Sequence, residues 1–320
     1  MNDKLKMKIL RYAVVAWTMI PFFAAAQKLT FTPQWTPQSQ FAGYYAAAEK
    51  GFYRQAGLDV DIVHFSTSLN AVEMLKSGVS DIITCNLMEA MKQRDAGLPL
   101  VNILQTSMQS SMLIISHTPL DKGWLSLNGK RVGRWRAGYS AIASLVSREQ
   151  ELQIEWVDFL SGINLFMSGA VDATIAMSYN ELFSIMETGT NVAENQLIRF
   201  ADSGYNIPED GVYVTESFFL KNREAVVRFA EATRKGWLWV KDHPEEATDI
   251  VMSVVRKHKI PTNRHHQRMM LAEILRLQCL PGETEPAFTL PEIQWDYLNA
   301  LLLETGDIHK KIEYRNFIKQ

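Results

Sequence analysis

Cysteine is scarce in this 320-residue chain: only Cys85 and Cys279 occur, far apart in sequence. No pairing can be assigned to residues so separated, and two buried free thiols are the expected state. An excess of one charge is missing too. With 33 Lys and Arg against 35 Asp and Glu, the formal net charge is -2. No basic stripe runs through the chain, which excludes nucleic acid as an expected partner. There is no nucleophile elbow of the Gly-x-Ser-x-Gly kind and no Gly-Lys-Thr phosphate loop; Gly129-Lys130 and Gly138-Tyr139-Ser140 are too sparse for either. His258, His265 and His266 fall in the polar stretch HKIPTNRHHQR, read here as a solvated loop or helix face. No acid–base pair stands out, and no catalytic residue, metal or cofactor is assigned. Low-complexity segments and long linkers are absent.

Long apolar runs are confined to one place. Lys4, Lys6, Lys8 and Arg11 precede the run Tyr12 to Phe23, followed by Ala24-Ala25-Ala26 and Gln27. That is the order of a basic region, an apolar region and a small-residue cleavage site, so residues 1–26 are expected to be a cleaved export signal. The apolar part is short for a membrane span. The remainder, 47% hydrophobic and 21% charged over the whole chain, has the composition of a globular protein large enough for two lobes.

The stretch LTFTPQWTPQSQFAGYYAAAEKGFYRQAGLDVDIV reads as strand, polar turn, helix and strand. Further strands and helices alternate after it, which predicts mostly parallel sheets built from βαβ units. Two segments echo each other. Leu75-Lys76-Ser77-Gly78-Val79-Ser80-Asp81 and Phe166-Met167-Ser168-Gly169-Ala170-Val171-Asp172 both read apolar-x-Ser-Gly-x-x-Asp before a strand. Matching places in two βα series imply two similar lobes: 27–116 as the first part of lobe I, 117–205 as lobe II, and 206–320 returning to lobe I. Hinges are expected near His117 and Gly204. DGVYVTESFF reads as the returning strand, and NREAVVRFAEATRKGWLWVKDH as an amphipathic helix with Val226, Val227, Phe229, Ala230, Trp237 and Val240 on its apolar side.

In such sheets ligands bind beyond the carboxyl ends of the strands. Three turns then converge on one cleft: Gln34-Trp35 with Gln38 and Gln40, Cys85-Asn86 with Glu89, and Tyr179-Asn180-Glu181. A fourth turn, holding Arg136, Gly138 and Tyr139, opens a helix whose free N–H groups suit an anion. Trp35 and Tyr179 suit stacking on a planar ring, with Asn180 and Glu181 on its edge. Tyr44 and Tyr45 are adjacent on a helix, so at most one faces the cleft; Tyr44 is taken, with core packing as its competing reading. A core aromatic remains the competing reading of Trp35, and a simple helix-start carboxylate that of Glu181.

WTPQSQFAGYYAAAEKGFYRQAGLDVDIV, with LKSGVSDI, LNGKRVGRW, GAVDATIAMSYNE, NIPEDGVYVTE and ATRKGWLWVKDHPEEA, resembles the thiamine-pyrimidine-precursor (NMT1/THI5-like) proteins. These include periplasmic binding components of ABC importers and fungal pyrimidine synthases. The resemblance implies a two-lobed periplasmic binding fold, a pyrimidine-like ligand in the cleft, and a permease with its ATPase as partners. Two departures stand out. Transport members often carry an Asn and a His after Trp-Thr-Pro, where this chain has Gln38 and Phe41. The synthases carry a Cys-rich motif and a Lys and a His at their reaction centre, where this chain has Cys85 and Glu89. An iron-dependent synthase is therefore the poorer reading. A sulfonate- or taurine-type anion binder competes within the binding class, and a ligand-sensing module competes from outside it.

Overall fold

The computed structural model describes residues 26–64, 70–135 and 140–320. Two five-stranded sheets share one plan. In the first, β1 (Gln27–Thr32) lies between β2 (Leu58–Ile62) and β3 (Ile82–Asn86), and a late strand, β10 (Asp210–Thr215), separates β3 from β4 (Leu100–Gln105). In the second, β6 (Arg131–Trp135) lies between β7 (Glu155–Phe159) and β8 (Ala173–Met177), and β5 (Met112–Ser116) separates β8 from β9 (Leu197–Arg199). Only the inserted strand runs against its neighbours, so each sheet is mostly parallel as expected. Central strands β3 and β8 are buried along their whole length, which is why IITCN and ATIAM are short on charge and do not alternate.

The sequence echo has a structural cause. Asp81 accepts the Thr30 backbone N–H through Oδ2 at 2.8 Å, and Asp172 accepts the Arg131 N–H in the same way at 2.8 Å. Each aspartate thus ties the entrance of the strand that follows it, β3 or β8, to the neighbouring parallel strand, β1 or β6. Gly78 and Gly169, the glycines of the two echoed segments, sit in left-handed backbone, φ 74° and 71°, ending the preceding helix as only glycine does cheaply.

The first crossing between lobes lies earlier than expected. Because Met112–Ser116 pairs with both β8 and β9, these residues belong to the second sheet, and the chain crosses over residues 106–111 rather than near His117. SMLIISH reads as another strand of the first series because a buried strand carries no mark of which sheet it joins. The return crossing runs over residues 204–209. The two crossings are stitched together: Ser110 Oγ and the Ser111 N–H both donate to Glu209 Oε1 at 2.9 Å, and Ser111 Oγ donates to Oε2 at 2.5 Å. Thr106 and Ser107 donate their backbone N–H groups to the Asp210 carbonyl at 2.9 and 3.1 Å.

Four helices position the space between the lobes: α1 (Ala42–Glu49), α2 (Glu181–Glu187), α3 (Arg223–Asp242) and α4 (Arg264–Leu277). Helix α3 buries Val226, Phe229, Ala230, Trp237 and Val240 as its period predicts, but Val227 faces outward. It crosses α1 at backbone contact. A Cβ on Gly236 would sit 2.2 Å from the Gly43 carbonyl oxygen, and one on Gly43 would sit 2.2 Å from the Trp237 ring. Both cysteines are free and buried. No described helix is long and apolar enough to cross a membrane. Residues 1–25 of the expected export signal lie outside the described residues.

A candidate ligand cleft between the lobes

A cavity of about 240 Å³ opens where the carboxyl ends of both sheets face each other. The first lobe contributes Gln34, Trp35, Gln38 and Gln40, all just beyond β1. The second contributes Trp135, Phe159 and Met177, the last residues of three parallel strands, with Leu160 and the turn Tyr179-Asn180-Glu181. Strand direction alone explains this gathering, since parallel strands deliver their final side chains and following turns to one edge. Trp35 is 40% exposed, which makes it a wall and not a core aromatic. Its ring meets Trp135 edge-on across the cleft, centroids 6.4 Å apart and planes at 85°. Trp135 in turn leans on Phe159 at 4.9 Å.

Behind the first wall is a chain of amides. Gln38 Nε2 donates to Gln40 Oε1 at 2.5 Å, and Gln40 Nε2 donates to Asp210 Oδ2 at 2.5 Å. Gln34 Nε2 donates to the other carboxylate oxygen of Asp210 at 2.7 Å. Asp210 is the first residue of the antiparallel strand β10, so its position also falls on the cleft edge. Burial pushes its carboxyl up, and the two amide hydrogen bonds oppose that. The wall is held from outside as well. The Ser39 N–H and Oγ donate to Gln267 Oε1 and to its backbone oxygen, each at 2.7 Å. His64 lies 3.2 Å through Nδ1 from the Trp35 carbonyl and 3.0 Å through Nε2 from the Tyr45 hydroxyl. Burial lowers its pKa to about 4, so near neutrality it is uncharged, donating to the carbonyl and accepting from the phenol.

On the second wall, Glu181 starts α2 and is only 5% exposed. Its Oε2 accepts the Met177 N–H at 2.9 Å and its Oε1 accepts Asn180 Nδ2 at 3.2 Å. Burial raises its pKa, and these bonds pull it back. The Asn180 oxygen is 3.1 Å from His266 Nε2, and His266 Nδ1 is 3.1 Å from Glu187 Oε2. His266 belongs to α4, whose Met270 and Leu271 pack in the first lobe's core, so this contact spans the two lobes. His266 is buried, not on the solvated face expected of HKIPTNRHHQR. The spacing of His266, Met270 and Leu271 along one helical stripe is the signal that places it inward.

Of the residues singled out from sequence, Gln34, Trp35, Gln38, Gln40, Tyr179, Asn180 and Glu181 line the cavity. Tyr44 does not. It is 1% exposed and packs between Phe31, 4.6 Å away, and Trp237 at 5.8 Å, because its helix turns that face toward the sheet. Asn86 does not line it either. Its side chain accepts the Met88 N–H at 3.0 Å and caps the helix Leu87–Asp95, the ordinary use of Asn at that place. Its neighbours follow suit: burial pushes the Cys85 thiol up, and Glu89 takes a hydrogen bond from Gln93. Arg136, Gly138 and Tyr139 lie outside the described residues. Trp135, Phe159, Leu160 and Met177 line the cavity without having stood out in the sequence. The signal for them was their place at strand carboxyl ends.

Comparison with family profiles matches residues 38–247 to the family described as NMT1/THI5 like. The chain belongs to the NMT1/THI5-like family. This NMT1/THI5-like chain is 25% identical over 260 residues to the riboflavin-binding protein RibY of Chloroflexus aurantiacus, covering 78% of this chain and 72% of the relative. It is 21% identical over 230 residues to a formylaminopyrimidine-binding protein of Halalkalibacterium halodurans, covering 68% of each. A yeast relative at 22% identity over 237 residues, covering 70% of each, is a 4-amino-5-hydroxymethyl-2-methylpyrimidine phosphate synthase of Saccharomyces cerevisiae. Among solved structures, the periplasmic aliphatic sulphonate binding protein SsuA of Escherichia coli superposes with a TM-score of 0.65 at 16% identity, over 91% of this chain and 97% of that one. That likeness shows the two-lobed periplasmic binding fold.

Proposed function

We propose that this chain is a non-catalytic substrate-binding protein that closes its two lobes over a small planar heteroaromatic, a pyrimidine of the thiamine-precursor kind, and delivers it to a membrane permease driven by an ATPase. The observation that carries the reading is the pairing of aromatic walls across the cleft. Trp35 stands on one lobe and Trp135, Phe159 and Tyr179 stand on the other, with the Glu181 carboxylate at the edge. Opposed rings suit a flat ligand, and a fixed carboxylate suits the N–H groups on its rim. The names of the formylaminopyrimidine- and riboflavin-binding relatives support a planar nitrogen heterocycle.

The described lining offers a binding surface more readily than a reaction centre. Its ionisable groups are the Glu181 carboxyl and the Tyr179 phenol, with no Lys or Arg. A carboxylate on the lining favours a neutral or cationic ligand over a sulfonate; Arg136, which would favour the sulfonate, lies outside the described residues. Export is part of the proposal: cleavage after Ala26 would leave a periplasmic protein beginning at Gln27.

The test is a titration panel followed by heat or Trp fluorescence, with formylaminopyrimidine, hydroxymethylpyrimidine, riboflavin, taurine and an aliphatic sulfonate. A pyrimidine should bind and be recovered unchanged. Binding of the sulfonates alone, or consumption of the pyrimidine with iron supplied, overturns the reading. Intact mass of the exported protein checks the cleavage site.

A further inference from the structure

The glutamines of the first wall have a direction. Each amide nitrogen points toward Asp210: Gln34 and Gln40 donate to its two carboxylate oxygens, and Gln38 donates to the oxygen of Gln40. An ionised carboxylate accepts and does not donate, so it fixes which end of each bonded amide faces it. The orientation then passes along the chain. Gln40, with its nitrogen toward Asp210, must offer its oxygen to Gln38, and Gln38 must turn its nitrogen inward. The end left over is Gln38 Oε1, an acceptor on a cavity-lining residue, and Gln34 Oε1, likewise turned away from Asp210 on a lining residue, is buried with no hydrogen-bond partner among the described residues. On the opposite wall the polar edge is again an acceptor, the Glu181 carboxylate, with the Asn180 nitrogen turned onto it.

We propose that Asp210, which does not line this cavity, is the specificity-setting positioning residue of the site: by polarising the Gln40–Gln38 amides it makes the first wall present an oxygen, so the cleft selects a ligand whose edge donates hydrogen bonds. The ligand class is a planar heterocycle bearing an amino or ring N–H group. An otherwise equal ring with an oxygen or ether there is rejected, because two acceptors would face each other. This deepens the proposed function and rests on it. Asp210→Asn removes the fixed polarity. An asparagine can donate to Gln40 as well as accept from it, so both Gln38 orientations become available.

The probes are 4-amino-5-hydroxymethyl-2-methylpyrimidine and its 4-methoxy counterpart, titrated calorimetrically into the full chain, into Asp210→Asn and into Gln40→Met. Gln40→Met breaks the relay without altering either end, and serves if Asp210→Asn does not fold. The unaltered chain should prefer the amino probe by roughly tenfold or more, the scale of one hydrogen bond traded for an acceptor clash. Both variants should lose most of that preference. If neither probe binds the unaltered chain, the pyrimidine reading and this proposal fall together. Equal binding of both probes by the unaltered chain overturns the polarity while leaving the ligand reading intact. A preference unchanged in the folded variants overturns the role of Asp210 alone.

Discussion

His266 and Gln267, neighbours in sequence, hold opposite walls of the cleft. Gln267 takes two hydrogen bonds from Ser39 behind the first wall, while His266 reaches the Asn180 oxygen and the Glu187 carboxylate of the second lobe. Successive residues on a helix point about 100° apart, so one turn of α4 can serve both lobes. His266→Ala should leave the buried Asn180 oxygen without its partner and free the amide that steadies Glu181. Pyrimidine affinity should fall by about 1–2 kcal/mol, read by calorimetry. His266→Gln, which keeps a donor, should recover part of it. A loss of thermal stability equal to the loss of affinity would reduce His266 to a general packing role.

Trp35 and Trp135 should contribute separately and together. Each change to Ala is expected to weaken ligand binding by about 1–3 kcal/mol, and the double change by less than the sum, since the two rings also touch each other across the cleft. Ligand-induced quenching of Trp emission should drop most in Trp35→Phe. Full additivity in the cycle would separate the two rings functionally.

Glu181→Gln keeps the size of the side chain and removes the charge. Affinity for an amino-bearing ring should fall by about 1.5–3 kcal/mol, the range for a charged hydrogen bond lost, while affinity for taurine should not fall. Unchanged pyrimidine affinity would take Glu181 out of the site.

The two crossings should give the protein a pH signature. Burial pushes the Glu209 carboxyl up to about 7, with the Ser111 hydrogen bond and others opposing, from an ordinary value of 4.5. The native state therefore holds this proton more tightly than the unfolded chain does, and protons favour folding. The contribution is full below about pH 4.5 and is lost as pH rises through about 7, at most ~3 kcal/mol in size. Denaturation of Glu209→Gln against the unaltered chain between pH 4.5 and 7.5 should show the unaltered chain losing ground as pH rises. A constant difference would mean that Glu209 titrates as it does in the unfolded chain.

Gly236→Ala should be costly although it adds one methyl group. The carbonyl of Gly43 lies where the Cβ would go, and backbone cannot give way as a side-chain end can. A fall in stability of about 3 kcal/mol or more is expected, seen as a drop of several degrees in Tm; a change under 1 kcal/mol would show that α1 and α3 separate easily.

The two-lobed architecture was legible because alternation, glycine stops and the repeated Ser-Gly-x-x-Asp segment are local and periodic. Trp35 and the Tyr179-Asn180-Glu181 turn were legible for the same reason, since each directly follows a strand. Asp210 and His266 were not. Their roles depend on partners 170 and 86 positions away, and nothing near them in sequence announces the pairing. Tyr44 misled because helix phase, not residue type, decides whether it faces the sheet or the cleft. Residues 112–116 misled because a strand's partner sheet is a long-range choice.

The interleaving of the sheets bears on the order of folding. Every strand of the second sheet lies between residues 112 and 199, so that sheet is complete once a continuous stretch has been synthesised. The first sheet cannot close in the same way, because β4 touches β3 only through β10, more than a hundred residues later. A chain emerging amino end first should therefore finish its second sheet before its first. The cleft wall built latest is the one that carries Trp35.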